Sequence, residues 1–166
     1  MSELNLSTVK VQRPEGDMSV NVIIGMTHFI KSVEDIHEAL VGSVPGIKFG
    51  LAFCEASGPK LIRYSSTDKE MEKLAIENAK KIKAGHSFVI FLKDTFPISI
   101  LKDVRHVPEV CRIFCATANP VQVVIAETEQ GRAILGVVDG EATDKVEKTK
   151  DKKERNQFLR TIGYKF

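Results

Sequence analysis

Apolar residues recur along this chain with two periods. Val9 to Arg13 alternates apolar and polar side chains, and after the turn signal Pro14-Glu15-Gly16-Asp17 the stretch Val20 to Ile24 is rich in β-branched residues, so both segments predict strands. The spacing then changes. Val33, Ile36, Leu40 and Val44 mark a helical face from about Val33 to Val44, with Ser32 and Asp35 in capping-box spacing before it and Pro45-Gly46 after it. Alternation returns at Ile47, Phe49, Leu51 and Phe53, and beyond the turn Ser57-Gly58-Pro59 the segment Lys60 to Tyr64 completes a predicted hairpin.

Thr67 and Glu70 form a second capping-box pair, and Met71, Leu74, Ala75, Ala79 and Ile82 mark the apolar face of a helix that Gly85 is expected to end. Phe88 to Leu92 is apolar throughout, the pattern of a strand covered on both faces. Pro97 suits the first turn of a short helix with Ile100, Leu101 and Val104 inward. Val110 to Ala116, Val121 to Glu127 and Arg132 to Val138 predict three more strands, and a last helix should carry Phe158, Leu159 and Ile162 on a packed face. About eight strands and four helices result, in an order that mixes hairpins with helical crossovers. That order predicts an α/β fold of the mixed α+β kind, with a single mixed β-sheet flanked by the helices. The 166 residues contain no repeat or flexible linker, so residues 1–166 are expected to form a single domain.

With 43% hydrophobic and 28% charged residues the composition is that of a globular protein, and no apolar run approaches the roughly 20 residues that span a bilayer, so no membrane partner is expected. Met1 to Ser7 lacks the basic and apolar regions of a secretory signal, and three cysteines, an odd count, suit a reducing compartment; a cytoplasmic location is expected. The net charge of +2 comes from 24 basic and 22 acidic residues that are well mixed, which argues against nucleic acid as a partner. The densest basic block, Lys145 to Arg155, is interrupted by Glu147, Asp151 and Glu154 and reads as a solvated segment. Neither Gly-x-Gly-x-x-Gly nor Gly-Lys-Ser/Thr follows any strand, so Rossmann and P-loop phosphate sites are excluded.

The candidate chemistry sits at element ends. His86 opens the Phe88 to Leu92 strand just after Gly85, and its imidazole is a competent nucleophile or base. His28 and Lys31 lie in a strand-to-helix loop beside free backbone donors, a plausible anion site. Glu55 is a carboxylate at the end of a strongly apolar strand, costly there unless it is exposed in a cleft or paired. Thr117 and Asn119 break a strand where open sheets often place ligands. Arg132 and Asp139 bracket the last strand; the first could grip a phosphate and the second could bind Mg²⁺. Cys111 and Cys115 read as buried free thiols rather than zinc ligands, because no further ligands lie nearby.

Several runs together carry a resemblance. They are His28-Phe29-Ile30-Lys31, Lys48-Phe49-Gly50-Leu51-Ala52-Phe53-Cys54-Glu55-Ala56-Ser57-Gly58, Ala84-Gly85-His86, Val107-Pro108-Glu109-Val110-Cys111, Ala116-Thr117-Ala118-Asn119-Pro120, Leu135-Gly136-Val137-Val138-Asp139-Gly140 and Ile162-Gly163-Tyr164-Lys165. From about Val9 to Lys165 the chain closely resembles the small prokaryotic family of adenosine-specific kinases. It departs from the family at Ser66-Thr67-Asp68, where the family has Gly-Asn-Asp; the aspartate is kept.

The resemblance implies binding of adenosine, AMP, ADP or ATP and a histidine that carries a phosphoryl group. His86 is the first choice as nucleophile and His28 the second, while Lys31, Arg132, or a Mg²⁺ ion brought with ATP and held near Asp139 or Glu55, would offset charge on the transferring oxygens. Thr117 and Asn119 are candidates for adenine contacts. The resemblance also implies a homo-oligomer, a trimer or a multiple of it. The alternative reading is a non-catalytic adenine-nucleotide-binding sensor or oligomeric regulatory protein.

Overall fold

The segments 49–54 and 87–92 are buried residue after residue rather than alternately, so the sheet they form is apolar on both faces, and that sheet organises the molecule. The computed structural model describes residues 4–166. Among them eight strands and four α-helices follow in the order β1 (Asn5–Lys10), β2 (Val20–Thr27), α1 (Ser32–Ser43), β3 (Lys48–Cys54), β4 (Ile62–Ser66), α2 (Lys69–Ile82), β5 (Ser87–Lys93), α3 (Leu101–His106), β6 (Val110–Thr117), β7 (Val121–Glu127), β8 (Arg132–Asp139) and α4 (Thr149–Thr161). A 3₁₀ turn at Pro97–Ser99 precedes α3, with Pro97 in the first-turn position where its missing N–H is harmless.

The expected single sheet is in fact two: a five-stranded antiparallel sheet in the order β4-β3-β5-β2-β6 and a three-stranded one in the order β1-β7-β8. β5 is central, and its residues serve two cores. Phe88, Ile90 and Leu92 face α1 and α3, meeting Ile36, Leu40, Ile100 and Val104, while Val89 and Phe91 face α2 and the smaller sheet, meeting Ala75, Ala79, Val123 and Ile125. The Asn119-Pro120 turn releases the chain from β6, and β7 takes β1 as its partner, with Val9 opposite Val123. Alternation at Val121, Val123 and Ile125 is the same whichever sheet they join, so the periodicity left the partner open.

Four local expectations change. Ser32 does not cap α1: its buried hydroxyl accepts from Thr27 Oγ1 at 2.9 Å and lies within reach of the His28 and Phe29 carbonyls, while Asp35 pairs with Lys31. α2 is capped by Asp68, whose Oδ1 accepts from Glu70 N and Met71 N at 3.0 Å; Thr67 instead ties Phe49 N to the loop. The residue that ends α2 is Lys83, with φ +52, rather than Gly85. α4 buries none of its residues fully: Phe158 is 61% exposed and Leu159 only partly covered, so the face predicted to pack joins neither core.

Candidate active site at one end of the five-stranded sheet

Antiparallel register collects functional side chains at one end of the larger sheet. Met26 stands opposite Ser87, Thr27 opposite Val110, Phe53 opposite Phe88 and Cys54 opposite Ile62, so the last residues of β2 and β3 meet the first of β4, β5 and β6. Four of the six buried polar or charged side chains among the described residues lie here: Thr27, Ser32, Ser87 and Glu109. So do four of the five non-glycine residues with positive φ: Phe29, Lys60, Lys83 and His86. Left-handed backbone is costly for a side-chain-bearing residue, and such residues concentrate where the surrounding structure holds a site.

His86 has φ +64 and is held by two backbone hydrogen bonds, its N–H donating to Cys54 O at 2.8 Å and its carbonyl accepting from Thr27 N at 2.9 Å. Its ring lies nearly parallel to that of Phe53, with centroids 6.1 Å apart. The half-buried imidazole is thus carried at the start of β5 by the two strands that flank it, β2 and β3.

On the α1 side, His28 donates its backbone N–H to Glu109 O at 3.0 Å and its side chain is exposed. Lys31 Nζ lies 2.7 Å from Glu109 Oε1 and also bonds Asp35; these two carboxylates raise its pKa above the ordinary lysine value, the Asp35 bond contributing most. Arg63 reaches Ile30 O and Glu34 Oε1, the latter at 2.8 Å, and its Nε is 3.9 Å from Glu55 Oε1. Two cations therefore face four carboxylates, Glu34, Asp35, Glu55 and Glu109, and the charge of Lys31 is largely offset within the chain.

The α2 side has the opposite sign. A cavity of about 710 Å³ is lined by Glu55, Lys60, Lys80, Lys83, Gly85 and Arg132, among others. Glu55 Oε2 accepts from Leu61 N at 2.9 Å, which fixes the carboxylate at the hairpin, with Oε1 on the side of Arg63. Arg132 is committed: Nε meets Glu127 at 3.0 Å, and Nη1 donates to the Lys81 and Ile82 carbonyls at 3.1 and 3.4 Å. Gly85 follows the left-handed Lys83 and lies against Ala56, where a Cβ would stand 3.0 Å from the Ala56 Cβ.

The residues singled out in the sequence are divided between two ends. His86, His28, Lys31, Glu55 and Arg132 share the end just described. Thr117, Asn119 and Asp139 form a second group at the other end of the strands, where Asn119 N donates to Thr117 Oγ1 at 3.0 Å and Asn119 Nδ2 to Asp139 Oδ1 at 3.1 Å. Arg132 and Asp139 terminate the same strand, roughly 20 Å apart at the usual rise per residue. Asp139 and Glu55 thus do not face one ligand, and no cluster of three metal-ligating side chains occurs among the described residues.

Glu109 and the lysines of the cavity carry no signal of a site in the local sequence. Glu109 sits between Pro108 and the start of a strand, where carboxylates are commonly solvated, and nothing local marks it as buried. Lys80 lies in the ordinary basic last turn of α2, and Lys83 is the residue that caps it. The two cysteines separate as well: Cys115 is buried, but Cys111 is exposed, against the expectation of two buried thiols. Register shifts in the β2–β6 pairing between Ile24 and Gly25 and between Met26 and Thr27 break the alternation that would have put them on one face.

A family model described as adenosine specific kinase matches residues 9–165. The crystal structure of the PH1918 protein from Pyrococcus horikoshii OT3 superimposes with a TM-score of 0.93 at 46% sequence identity, covering 99% of each chain. No curated protein matches. No helix among the described residues is long and apolar enough to cross a membrane.

Proposed function

The chain belongs to the adenosine-specific kinase family, and from that premise we propose that it binds adenosine and adenine nucleotides at the His86 end of the five-stranded sheet and transfers a phosphoryl group through His86. The observation that carries the reading is His86 itself: a half-buried imidazole in left-handed backbone, pinned between β2 and β3, whose chain neighbour Gly85 lines a basic cavity. Strain of this kind is retained where the side chain must point one way.

In the first step a ring nitrogen of neutral His86 attacks the terminal phosphorus of the nucleotide in line; the bond to the bridging oxygen breaks, the nucleoside diphosphate leaves and the ring proton is released. In the second, the 5′-hydroxyl of adenosine attacks that phosphorus, the P–N bond breaks, AMP departs and the hydroxyl proton ends on the imidazole. The cavity lysines stabilise the oxygens of the transferring group, and the fixed frame of β2, β3 and β5 keeps the ring from swinging. His28, exposed on the neighbouring loop, is the second candidate acceptor. Lys31 acts as a polar contact rather than a free cation, since Asp35 and Glu109 hold it.

Mg²⁺ carried by ATP fits this end through Glu55 alone. Such an ion typically takes one or two protein carboxylates and completes its shell with phosphate and water, and when bound it would offset phosphate charge. Asp139, together with Thr117 and Asn119, lies too far away to share that site and drops out of the proposal as a ligand contact.

Intact-protein mass spectrometry after incubation with ATP and Mg²⁺, followed by an adenosine chase, tests the reading. An acid-labile phosphoryl adduct that requires His86 and is discharged as AMP is the expected result. Full labelling of His86→Ala overturns the assignment, and nucleotide binding with neither adduct nor AMP would make the protein a sensor instead.

A further inference from the structure

The positive charge of this protein is concentrated far beyond its net value of +2. The cavity beside Gly85 adjoins a second concavity of about 510 Å³, lined in part by Lys10, Lys80, Lys81, Lys83 and Arg132, and the two share Lys80, Lys83 and Arg132. Together their walls carry Lys10, Lys60, Lys80, Lys81 and Lys83 against one carboxylate, Glu55, with Arg132 beside them paired to Glu127. A concave, low-dielectric wall of one sign focuses its field on the space it encloses.

The end of α2 points its free carbonyls toward this region, which by itself would repel an anion. Arg132 removes that objection, since its guanidinium occupies the Lys81 and Ile82 carbonyls. Lys60 and Lys83 are held at φ +54 and +52, a conformation that turns and C-caps normally give to glycine or asparagine. The ammonium groups of Lys60, Lys80 and Lys83 make no ion pair among the described residues, in contrast to Lys31, Lys48, Lys69 and Lys93. Free lysines around a concavity suit a flexible chain of phosphates, because each ammonium is a mobile point charge.

We propose that this basic cavity is an oligophosphate subsite, which seats the phosphate chain of the nucleotide on the α2 face of the sheet, opposite the acidic α1 side. The proposal rests on the nucleotide reading of the same end and adds where the phosphates lie and which side chains select for them. His86, next to Gly85, then stands at the boundary between phosphates on the one face and the uncharged nucleoside on the other.

Isothermal titration of inorganic tripolyphosphate and, separately, of adenosine into wild type, Lys80→Gln/Lys83→Gln and the charge-matched control Lys152→Gln/Lys153→Gln tests it. All four lysines are exposed, so the folds should survive, and melting curves check that. The expected result is a loss of tripolyphosphate affinity of about ten-fold or more in the cavity variant and about two-fold or less in the control, with adenosine affinity preserved in both. Equal losses in the two variants, or no binding of tripolyphosphate by wild type, overturn the subsite. Adenosine binding without tripolyphosphate binding removes the subsite alone, whereas cavity-dependent tripolyphosphate binding without adenosine binding removes the adenosine reading and leaves the subsite standing.

Discussion

Lys31 Nζ lies 2.7 Å from Oε1 of Glu109, the one charged side chain that the fold buries among the described residues, and the second oxygen of that carboxylate has no hydrogen-bond partner. The pair is asymmetric. Lys31 is half-exposed and keeps Asp35 if Glu109 is neutralised, whereas Glu109 loses its only cation if Lys31 is removed. A buried charge stripped of its partner is far costlier than an exposed one. Lys31→Met should therefore lower the melting temperature more than Glu109→Gln, and calorimetry at neutral pH checks the order.

The same pair sets an alkaline limit. Its partners raise the Lys31 pKa in the folded state above the ordinary 10.5, so its contribution is complete below about that pH and is lost as pH rises through the folded value. The difference in stability between wild type and Lys31→Met should stay constant from pH 7 to 9 and shrink above the ordinary lysine value.

Acid should act through other groups. Glu72 is held below its ordinary 4.5 by the Ser66 hydroxyl and then Lys69, and Asp17 below 3.8 by the Ser19 hydroxyl and backbone N–H. A carboxylate depressed on folding stabilises above its unfolded pKa, and that stabilisation is lost as pH falls through the folded one. Urea midpoints should thus begin to fall below about pH 4.5, and Ser66→Ala should reduce the acid-dependent part of that fall.

Thiol chemistry should follow the register shifts of β6. Burial first, and the Asp139 charge second, push the Cys115 thiol up to about 11, and burial raises Cys54. Cys111 is exposed. Iodoacetamide at pH 8 should label Cys111 alone in the native protein and all three cysteines in denaturant, as peptide mass spectrometry would resolve.

Gly50 marks the closest approach of α2 to the sheet, since a Cβ there would stand 2.1 Å from the Met71 carbonyl carbon and 2.2 Å from Glu72 N. Backbone cannot yield as a side chain does. Gly50→Ala should cost about 3 kcal/mol in urea unfolding, at the upper end of overpacking effects.

His86→Gly separates chemistry from folding at the proposed nucleophile. Glycine relieves the left-handed backbone, worth about 1 kcal/mol, and gives up a ring contact with Phe53 of similar size. Stability should change by less than about 1 kcal/mol while adduct formation disappears, which equilibrium unfolding beside the mass assay would show.

Most elements were legible in the chain because their signals are local. Alternation at Phe49, Leu51 and Phe53 and the unbroken run Phe88 to Leu92 describe β3 and β5 whatever surrounds them, and Pro97 marks its own short turn. The caps were less legible: Ser32, Thr67 and Asp68 all have short polar side chains able to serve a helix end, and tertiary contacts decided that Ser32 bonds Thr27 while Asp68 caps α2. α4 had the periodicity of a packed helix, yet periodicity records what a face could bury and not whether a neighbour exists.

The family, the order and kind of the elements, and His86 as the imidazole at a strand entrance are all written in the chain, because motif, period and chain neighbours lie within a few residues of one another. It took the folded chain to show that β1, β7 and β8 form a sheet of their own, that Glu109 is buried against Lys31, and that Arg132 lies with Gly85 at one end while Asp139 goes to the other. Those outcomes depend on strand partners and on burial, which are set by contacts between segments tens of residues apart and leave no trace in local spacing.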